Sequence, residues 1–291
     1  MIQRLAALIL LATFCGCGGM YFHPSNYADP RFEPVMTGAG LNYEAVTFRS
    51  SDGTELRGIF FPSTATANGT IVHFHGNGQN MTSHAFQVAW LAKDRYNVFV
   101  FDYRGYGASD GKPSISGAVE DGAAALRYVR SRPGVDPERI VVFGQSLGGA
   151  LAIASVAKEN PSGVKAVVVE GTFASYRALA RDKLNDLWLT WPLQYPLSYF
   201  FPDSMSAKRF VKQIAPRPLL VIHGDADRVV PLKHGLALYD EAADPKQLWQ
   251  VPGAGHLGIF YKQSGFADEL RPRLVEFLDN VLAPAAGGSK R

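Results

Sequence analysis

Cysteine is nearly absent from this sequence of 291 residues. Its two cysteines, Cys15 and Cys17, lie close together near the amino terminus, so no disulfide framework can stabilise the rest of the chain. The fold must therefore depend on a buried core, and a hydrophobic content of 47% is sufficient to form one. The length suits a single large α/β domain.

A strong charge of one sign is also missing. The formal net charge is only +3, and the Lys and Arg residues are scattered without forming a long run. Proteins that bind nucleic acid usually carry a basic stripe or patch. We therefore expect no nucleic-acid partner.

The amino terminus carries a short apolar run, residues 5–14, between Arg4 and a group of small residues that includes Gly16 and Gly18. The run is too short to span a bilayer, and the pattern is typical of a secretory signal peptide. We assign residues 1–16 to it. A buried amino-terminal helix is the alternative, which the glycines disfavour because they would end such a helix abruptly.

The segment Phe14-Cys15-Gly16-Cys17 resembles the lipobox of bacterial lipoproteins. That resemblance implies cleavage before Cys17 and lipidation of Cys17, and therefore an exported protein anchored in a membrane by its acyl chains. Gly18 stands where an acidic retention signal would lie. The resemblance thus implies the periplasmic side of the outer membrane if the cell has two membranes. Ordinary secretion with two incidental cysteines is the alternative.

The remaining chain divides into three parts. Residues 17–42 are rich in Gly, Pro, Ser and Asn, and we predict a lipidated amino terminus and a tether that packs partly on the domain. Residues 43–282 form the predicted domain. Residues 283–291 are small and polar, which indicates a disordered tail.

Short apolar runs alternate with helical patterns through the domain, which predicts an α/β fold with a mostly parallel eight-stranded sheet flanked by helices. The predicted strands are Tyr43–Phe48, Glu55–Phe61, Thr70–His75, Asn97–Asp102, Arg139–Gly144, Ala166–Glu170, Pro218–His223 and Gln247–Val251. The predicted helices are Thr82–Asp94, Ser116–Arg130, Leu147–Ala157, Leu232–Ala242 and Ala267–Leu282. A turn at residues 51–54 indicates that the first two strands form an antiparallel hairpin.

Residues 173–215 interrupt this alternation because they are too long for a simple crossover between two strands. Tryptophans, tyrosines and phenylalanines alternate with prolines between residues 188 and 202. We predict a small, aromatic-rich cap insertion. The alternative is that these aromatic residues pack the helices onto the sheet.

The pentapeptide Gly144-Gln145-Ser146-Leu147-Gly148 directly follows a predicted strand and opens a predicted helix. This is the setting of a G-x-S-x-G nucleophile elbow, in which Gly144 and Gly148 allow a tight turn that would otherwise be blocked. The elbow presents the Ser146 hydroxyl above the end of the strand. Ser146 is therefore the predicted nucleophile.

A serine nucleophile needs a histidine base, and the base needs an acid to orient it. On this type of fold the chain order is Ser, acid, His. His256 is the only histidine after the last predicted strand, so the order selects it. Asp225 and Asp227, on the loop after an earlier strand, are the alternatives for the acid, and Asp225 could instead bond to backbone amides of the loop.

An oxyanion hole is expected after the predicted strand Thr70–His75. Gly76 and Gly78 flank Asn77 there and let a backbone N–H approach the substrate closely. We assign the two donors to the N–H groups of Asn77 and Leu147.

Five segments together resemble the α/β-hydrolase superfamily, in particular its small serine hydrolases described as esterases, monoglyceride-lipase-like proteins and serine peptidases. The segments are residues 75–78, 102–107, 144–149, 223–231 and 255–256. In that family the acid is the second aspartate of a Gly-x-x-Asp loop, which favours Asp227. By the same resemblance, Arg104 is structural and held in a buried ion pair.

The resemblance implies a serine hydrolase without a cofactor. Carboxylic esters, including lipid esters, are the favoured substrates, because an aromatic cap and a membrane anchor suit an apolar acyl group. A serine peptidase or amidase is the first alternative, and a non-catalytic, lipid-anchored binding module is the second. A zinc site at His73 and His75 is disfavoured, because two residues of one strand need further ligands from elsewhere.

Overall fold

The computed structural model describes residues 21–186 and 188–283. The predicted signal peptide, the predicted lipidation site Cys17 and residues 284–291 of the predicted tail lie outside this part of the chain. No helix in the described ranges is both long enough and apolar enough to cross a bilayer.

The centre of the domain is an eight-stranded sheet in the order β10-β9-β8-β7-β4-β6-β3-β2. Its strands are β2 Glu44–Arg49, β3 Glu55–Phe61, β4 Gly69–Phe74, β6 Tyr96–Phe101, β7 Ile140–Gln145, β8 Val164–Glu170, β9 Leu219–Gly224 and β10 Lys246–Val251. A separate two-stranded ribbon pairs β1 His23–Pro24 with β5 Gly78–Gln79 in parallel. The pairings of β2 with β3 and of β3 with β6 are antiparallel, and the remaining pairings are parallel. The predicted mostly parallel eight-stranded sheet is therefore confirmed.

Helices cover both faces of the sheet. The α-helices are α1 Phe32–Gly38, α2 Met81–His84, α3 Ile115–Ser131, α4 Leu147–Glu159, α5 Tyr176–Asn185, α6 Gln194–Ser198, α7 Leu232–Glu241 and α8 Ala267–Leu282. Successive residues of the central strands enter opposite cores: Val142 packs with α3 and α4, whereas Val141 packs with α8. Burial on both faces explains why these strands are continuous apolar runs.

The prediction of one helix over Thr82–Asp94 is wrong. The segment begins with the short helix α2 and continues as two 3₁₀ turns, Ala85–Gln87 and Ala89–Asp94. Ala85, Val88 and Leu91 are fully buried. Their spacing of three residues matches the three residues per turn of a 3₁₀-helix, so packing of that stripe outweighs the preference for an α-helix.

The amino-terminal segment packs more closely on the domain than a loose tether would. The His23 N–H donates to the Asn77 carbonyl over 2.8 Å, and β1 pairs with β5. In α1, Phe32 and Met36 are buried against the sheet. Residues 21–42 thus reach the neighbourhood of the predicted oxyanion loop.

Residues 173–215 lie between β8 and β9 and form short helices. The described residues of this segment include α5, α6 and the 3₁₀ turns Trp191–Leu193, Ala207–Arg209 and Val211–Ile214. Ala180, Leu184 and Phe201 form a small apolar core of their own. Ala207, Val211 and Ile214 belong instead to the main core of the domain. Only part of the segment therefore has a core of its own, and the cap insertion stays a prediction.

Candidate active site

Ser146 occupies a sharp turn between β7 and α4. Its backbone angles are φ 53° and ψ −120°, in a region that a residue with a side chain rarely adopts and that costs of order 1–3 kcal/mol. A Cβ on Gly148 would lie 2.1 Å from the Phe74 carbonyl oxygen, and one on Gly144 would lie 2.6 Å from the Gly148 carbonyl oxygen. The two glycines are therefore required by close backbone contacts on either side of the serine.

The structure brings the three residues of the predicted triad together in one chain of contacts. His256 Nε2 lies 3.0 Å from Ser146 Oγ, and His256 Nδ1 lies 2.7 Å from Asp227 Oδ2. The residues follow β7, β9 and β10, whose carboxyl ends share one edge of the parallel sheet. With Nδ1–H donating to the carboxylate, Nε2 is left as an acceptor for the serine proton.

Asp227 is held as a carboxylate. Its Oδ1 accepts the N–H groups of Val229 and Val230, both over 2.8 Å. Burial alone would raise the pKa of the Asp227 carboxyl, but hydrogen bonds from His223, His256 and the Val230 N–H outweigh it and hold that pKa well below its usual value. Asp227 is therefore ionised at neutral pH and can fix the orientation and tautomer of His256.

Asp225 has the other role considered for it. Its Oδ1 accepts the Gly253 N–H over 2.7 Å, a bond that joins the loops after β9 and β10. Asp225 is exposed and makes no hydrogen bond to the ring of His256 among the described contacts. The geometry therefore favours Asp227 over Asp225 as the acid.

The two predicted oxyanion donors both line the cavity that Ser146 enters. Leu147 is the first residue of α4, so its N–H has no acceptor within the helix. The Asn77 carbonyl is fixed by the His23 N–H and by the Tyr106 hydroxyl, which donates over 2.6 Å. The roles of Asn77 and Leu147 remain predictions, and their positions beside Ser146 agree with them.

A buried polar network lies directly beneath the elbow. Gln145 Nε2 donates to Glu170 Oε2 over 2.6 Å and to Gln87 Oε1 over 3.1 Å, while Gln145 Oε1 lies 2.9 Å from His73 Nε2. Burial raises the pKa of Glu170 to about 7, against hydrogen bonds from Gln145 and from the N–H groups of Ile259 and Gly258. Glu170 thus lies between the strand that carries Ser146 and the loop that follows His256.

The two histidines of the disfavoured zinc site have other polar partners. His73 bonds to Gln145, and burial lowers its pKa to about 3. His75 Nδ1 lies 2.7 Å from the Gly76 carbonyl, and its Nε2 lies 3.3 Å from Asp102 Oδ1. Within residues 21–186 and 188–283, no group of three or more His, Cys, Asp or Glu side chains could hold a metal ion.

A cavity of about 380 Å³ opens above Ser146. Its walls are mostly apolar and come from the cap segment and from the loop after β9, with Phe173, Leu184, Phe201 and Val230 among them. No Asp or Glu lines it within the described residues. An apolar group attached to a reacting carbonyl fits such a lining better than a cationic group does.

Sequence reasoning missed several contributors to this site. Tyr21 and His23 line the cavity, although they come from the segment assigned as a tether. The sequence pattern identifies Glu170 only as the end of a strand and His223 only as the start of a loop. In the structure, His223 Nε2 lies 2.8 Å from the Val230 carbonyl and 3.5 Å from Asp227 Oδ2. A charged residue that ends the run Val167–Val169 was the one signal that could have identified Glu170.

Arg104 has the structural role that the sequence resemblance implied. Its guanidinium pairs with the fully buried Asp121 over 2.7 Å and with the exposed Asp52 over 2.8 Å. It lies outside the cavity lining, which agrees with a structural role.

Comparison with known proteins identifies related sequences. The model of the prolyl oligopeptidase family matches residues 80–285. The protein YfhR of Escherichia coli K12 is 38% identical over 245 residues, covering 83% of this chain and 82% of YfhR. The α/β-hydrolase domain-containing protein WAV2 of Arabidopsis thaliana is 37% identical over 218 residues, covering 72% of this chain and 70% of WAV2.

Solved structures confirm the α/β-hydrolase fold. The esterase Pf2001 of Pyrococcus furiosus superposes with a TM-score of 0.71 at 19% identity, covering 90% of this chain and all of the esterase. The acylaminoacyl peptidase of Pyrococcus horikoshii superposes with a TM-score of 0.62 at 20% identity, covering 85% of this chain and 43% of the peptidase. At these identities the likeness establishes the fold, and it includes both an esterase and a peptidase.

Proposed function

This chain belongs to the prolyl oligopeptidase family and is a serine hydrolase of the α/β fold, and from that premise we propose that it cleaves carboxylic esters with apolar acyl groups through an acyl-Ser146 intermediate. The observation that carries the proposal is the contact chain Asp227–His256–Ser146 at the base of an apolar cavity. The family alone leaves the choice between ester and peptide open.

In the proposed reaction, Ser146 Oγ attacks the ester carbonyl carbon while His256 Nε2 takes the hydroxyl proton. The carbonyl oxygen becomes an oxyanion that accepts the N–H groups of Asn77 and Leu147; one such donor is typically worth about 2.7–4 kcal/mol in the barrier. His256 then gives its proton to the leaving alcohol, and the acyl group stays on Ser146. Water activated by His256 releases the acid and regenerates the serine.

The cavity lining supports an ester over a peptide. A peptidase that binds a free amino terminus needs carboxylates close to the nucleophile, because the ammonium group must be paired once it leaves water. The cavity has no carboxylate in the described part of its lining, and its one cationic side chain is Lys183. That charge would repel an amino terminus.

A serine peptidase or amidase of the same fold is the second candidate, and the family match is what favours it. A blocked or internal peptide bond needs no partner for an amino terminus, so the lining argument does not apply to it. A non-catalytic binding module is a weaker candidate. The strained backbone of Ser146 and its alignment with His256 have no purpose in a protein that only binds.

The deciding experiment is hydrolysis of a p-nitrophenyl ester series from acetate to palmitate beside a panel of free and amino-blocked aminoacyl anilides. Wild type and Ser146→Ala are assayed together. The proposal expects ester cleavage that Ser146→Ala abolishes, with a chain-length optimum set by the cavity. Cleavage of anilides alone would establish the peptidase. If neither class is cleaved, the ester proposal is wrong and the binding module is favoured. If Ser146→Ala equals wild type, the assignment of Ser146 is wrong.

For location, we propose export and a lipid anchor at Cys17, on the periplasmic side of the outer membrane where a cell has two membranes. The lipobox-like residues 14–17 support this. Metabolic labelling with a radioactive fatty acid tests it. Label should appear in wild type and disappear in Cys17→Ser, and a wild-type protein without label would contradict the anchor.

A further inference from the structure

The cap segment carries an unusual amount of exposed apolar surface. Its side chains Trp188, Leu189, Trp191, Leu193, Tyr195, Tyr199 and Phe200 are between 51% and 86% exposed. We call these seven the apolar ridge. They account for seven of the eleven large apolar side chains that are exposed in the described residues, and residues 188–200 contain no charged residue.

The ridge is not needed to hold the cap together. The interior of the cap is formed by Ala180, Leu184 and Phe201, whereas the ridge side chains stand outside it. Contiguous apolar patches of this kind are rare on monomeric soluble proteins and mark contact surfaces. Tryptophan and tyrosine are also the residues enriched where protein meets the interface of a bilayer.

The ridge and the substrate cavity share helix α5. Ala180 and Leu184, one turn apart, line the cavity. Arg177 and Arg181 lie beside them on the same part of the helix surface, with their guanidinium carbons 4.9 Å from the Tyr199 ring and 4.6 Å from the Tyr195 ring. The ridge therefore borders the helix that lines the cavity and has arginines against its rings, which suits contact with anionic head groups.

The first described residue, Tyr21, packs on the cap. The Tyr21 ring centre lies 5.0 Å from that of Tyr176 and 6.0 Å from that of Phe201. Cys17 precedes Tyr21 by four residues, and an extended chain of that length spans at most about 14 Å. A lipid on Cys17, or the apolar residues 5–14 themselves, would thus hold the cap side of the domain against a membrane.

We propose that the apolar ridge docks on the surface of a phospholipid bilayer, so that the cavity above Ser146 receives its substrate from the membrane. Two independent observations support this: an uncharged aromatic surface on the cap, and a described chain that begins against the cap at Tyr21, four residues after Cys17. The docking does not depend on the proposed ester hydrolysis, whereas the delivery of substrate rests on that proposed function.

Docking is measured on the full chain reconstituted in vesicles of phosphatidylglycerol and phosphatidylcholine, with bromine on the phosphatidylcholine acyl chains. Bromine quenches tryptophans that enter the interface, and Trp188 and Trp191 are two of only four tryptophans. Wild type should be quenched, and Trp188→Phe/Trp191→Phe should lose that quenching. Tyr27→Ser is the matched control, because Tyr27 is as exposed as Trp188, at 86%, but lies outside the ridge; it should quench as wild type does.

Delivery is measured with a long-chain ester dispersed in vesicles and a short-chain ester in solution. Trp188→Ser/Trp191→Ser should lower cleavage of the vesicle ester about tenfold, from the loss of buried aromatic area, and leave the soluble ester unchanged. Ser146→Ala should abolish both reactions and retain the quenching. The two assays therefore distinguish a failure of the hydrolysis proposal from a failure of the docking proposal.

Two results would overturn the docking. One is wild-type quenching no greater than that of Trp188→Phe/Trp191→Phe. The other is self-association of wild type in detergent that Trp188→Ser/Trp191→Ser abolishes, together with no quenching in vesicles. That result would mean that the ridge binds a second copy of the chain. Equal cleavage of the vesicle ester by wild type and Trp188→Ser/Trp191→Ser would contradict the delivery.

Discussion

The imidazole of His256 is held 2.7 Å from Asp227 through Nδ1, and this contact leaves Nε2 directed at Ser146 Oγ, 3.0 Å away. Asp227 is fixed in turn by two backbone N–H groups on its other oxygen. The position of the base therefore depends on a carboxylate that the loop after β9 holds rigidly.

Asp227→Asn should lower kcat by roughly 10³–10⁴, because an amide in this place favours the wrong tautomer of His256. Initial rates on the best ester of the series measure the loss, and circular dichroism verifies that the variant folds. Asp225→Asn is the matched control on the same loop. Since the Asp225 side chain bonds only to the Gly253 N–H among the described contacts, its variant should stay within a few-fold of wild type. A larger loss in Asp225→Asn than in Asp227→Asn would reverse the assignment.

The elbow should tolerate no side chain at Gly148. A Cβ there would meet the carbonyl oxygens of Phe74 and His75 at 2.1 and 2.4 Å, and backbone atoms of the central sheet cannot move aside. Gly148→Ala should cost about 3 kcal/mol or more in the free energy of unfolding, measured by urea denaturation. Gly255→Ala, next to His256, has nothing within 4 Å of the added Cβ and should change stability little. Equal stability of the two variants would contradict this account of the elbow.

The sheet, the elbow and the contact between the three residues of the predicted triad could be predicted from the sequence because each depends on local signals or on chain order. Glycines mark the turn at Ser146, and a parallel sheet brings the ends of its strands to one edge wherever they lie in the chain. The cavity walls could not be predicted in the same way. Tyr21 and His23 reach the site only because β1 pairs with β5, a contact of two residues on each side.

The network beneath the elbow depends on register, which the sequence does not state. Gln145 lies directly beside Glu170 because β7 and β8 pair in that register. A shift of either strand by one residue would place the two side chains on opposite faces of the sheet. The 3₁₀ turns after α2 could also not be predicted from sequence patterns, because buried residues spaced three apart fit an α-helix as well.

The ion pair of Arg104 should matter for stability and not for catalysis. Arg104→Met would leave the Asp121 carboxylate, which is fully buried, without its cation. Removing one partner of a buried pair typically costs about 3–5 kcal/mol, and urea denaturation measures it. Asp52→Asn removes only the exposed partner of the same guanidinium and should change stability little. The activity per folded molecule should stay unchanged in both variants, and a specific loss in Arg104→Met would indicate a role in the site.

Glu170 should make the folded protein less stable as the pH rises. Its pKa in the folded chain is raised to about 7 from an ordinary value of 4.5, chiefly by burial. Between these two values the folded state keeps a proton that the unfolded state has lost, so the free energy of unfolding falls as pH increases through this window. The size of the effect is about 3 kcal/mol across the window, with the decline complete near neutral pH.

Glu170→Gln cannot ionise and should lack this decline, while its amide oxygen can still accept from Gln145. Urea denaturation of both proteins between pH 4.5 and 8 gives the difference curve, in which every other titrating group cancels. The difference should grow in favour of Glu170→Gln up to about pH 7, the folded-state value, and then stay level. Glu138→Gln, which neutralises a glutamate at the surface, should follow wild type at every pH. Parallel curves for wild type and Glu170→Gln would mean that the Glu170 carboxylate is stabilised as well in the core as in water, through the N–H groups of Gly258 and Ile259.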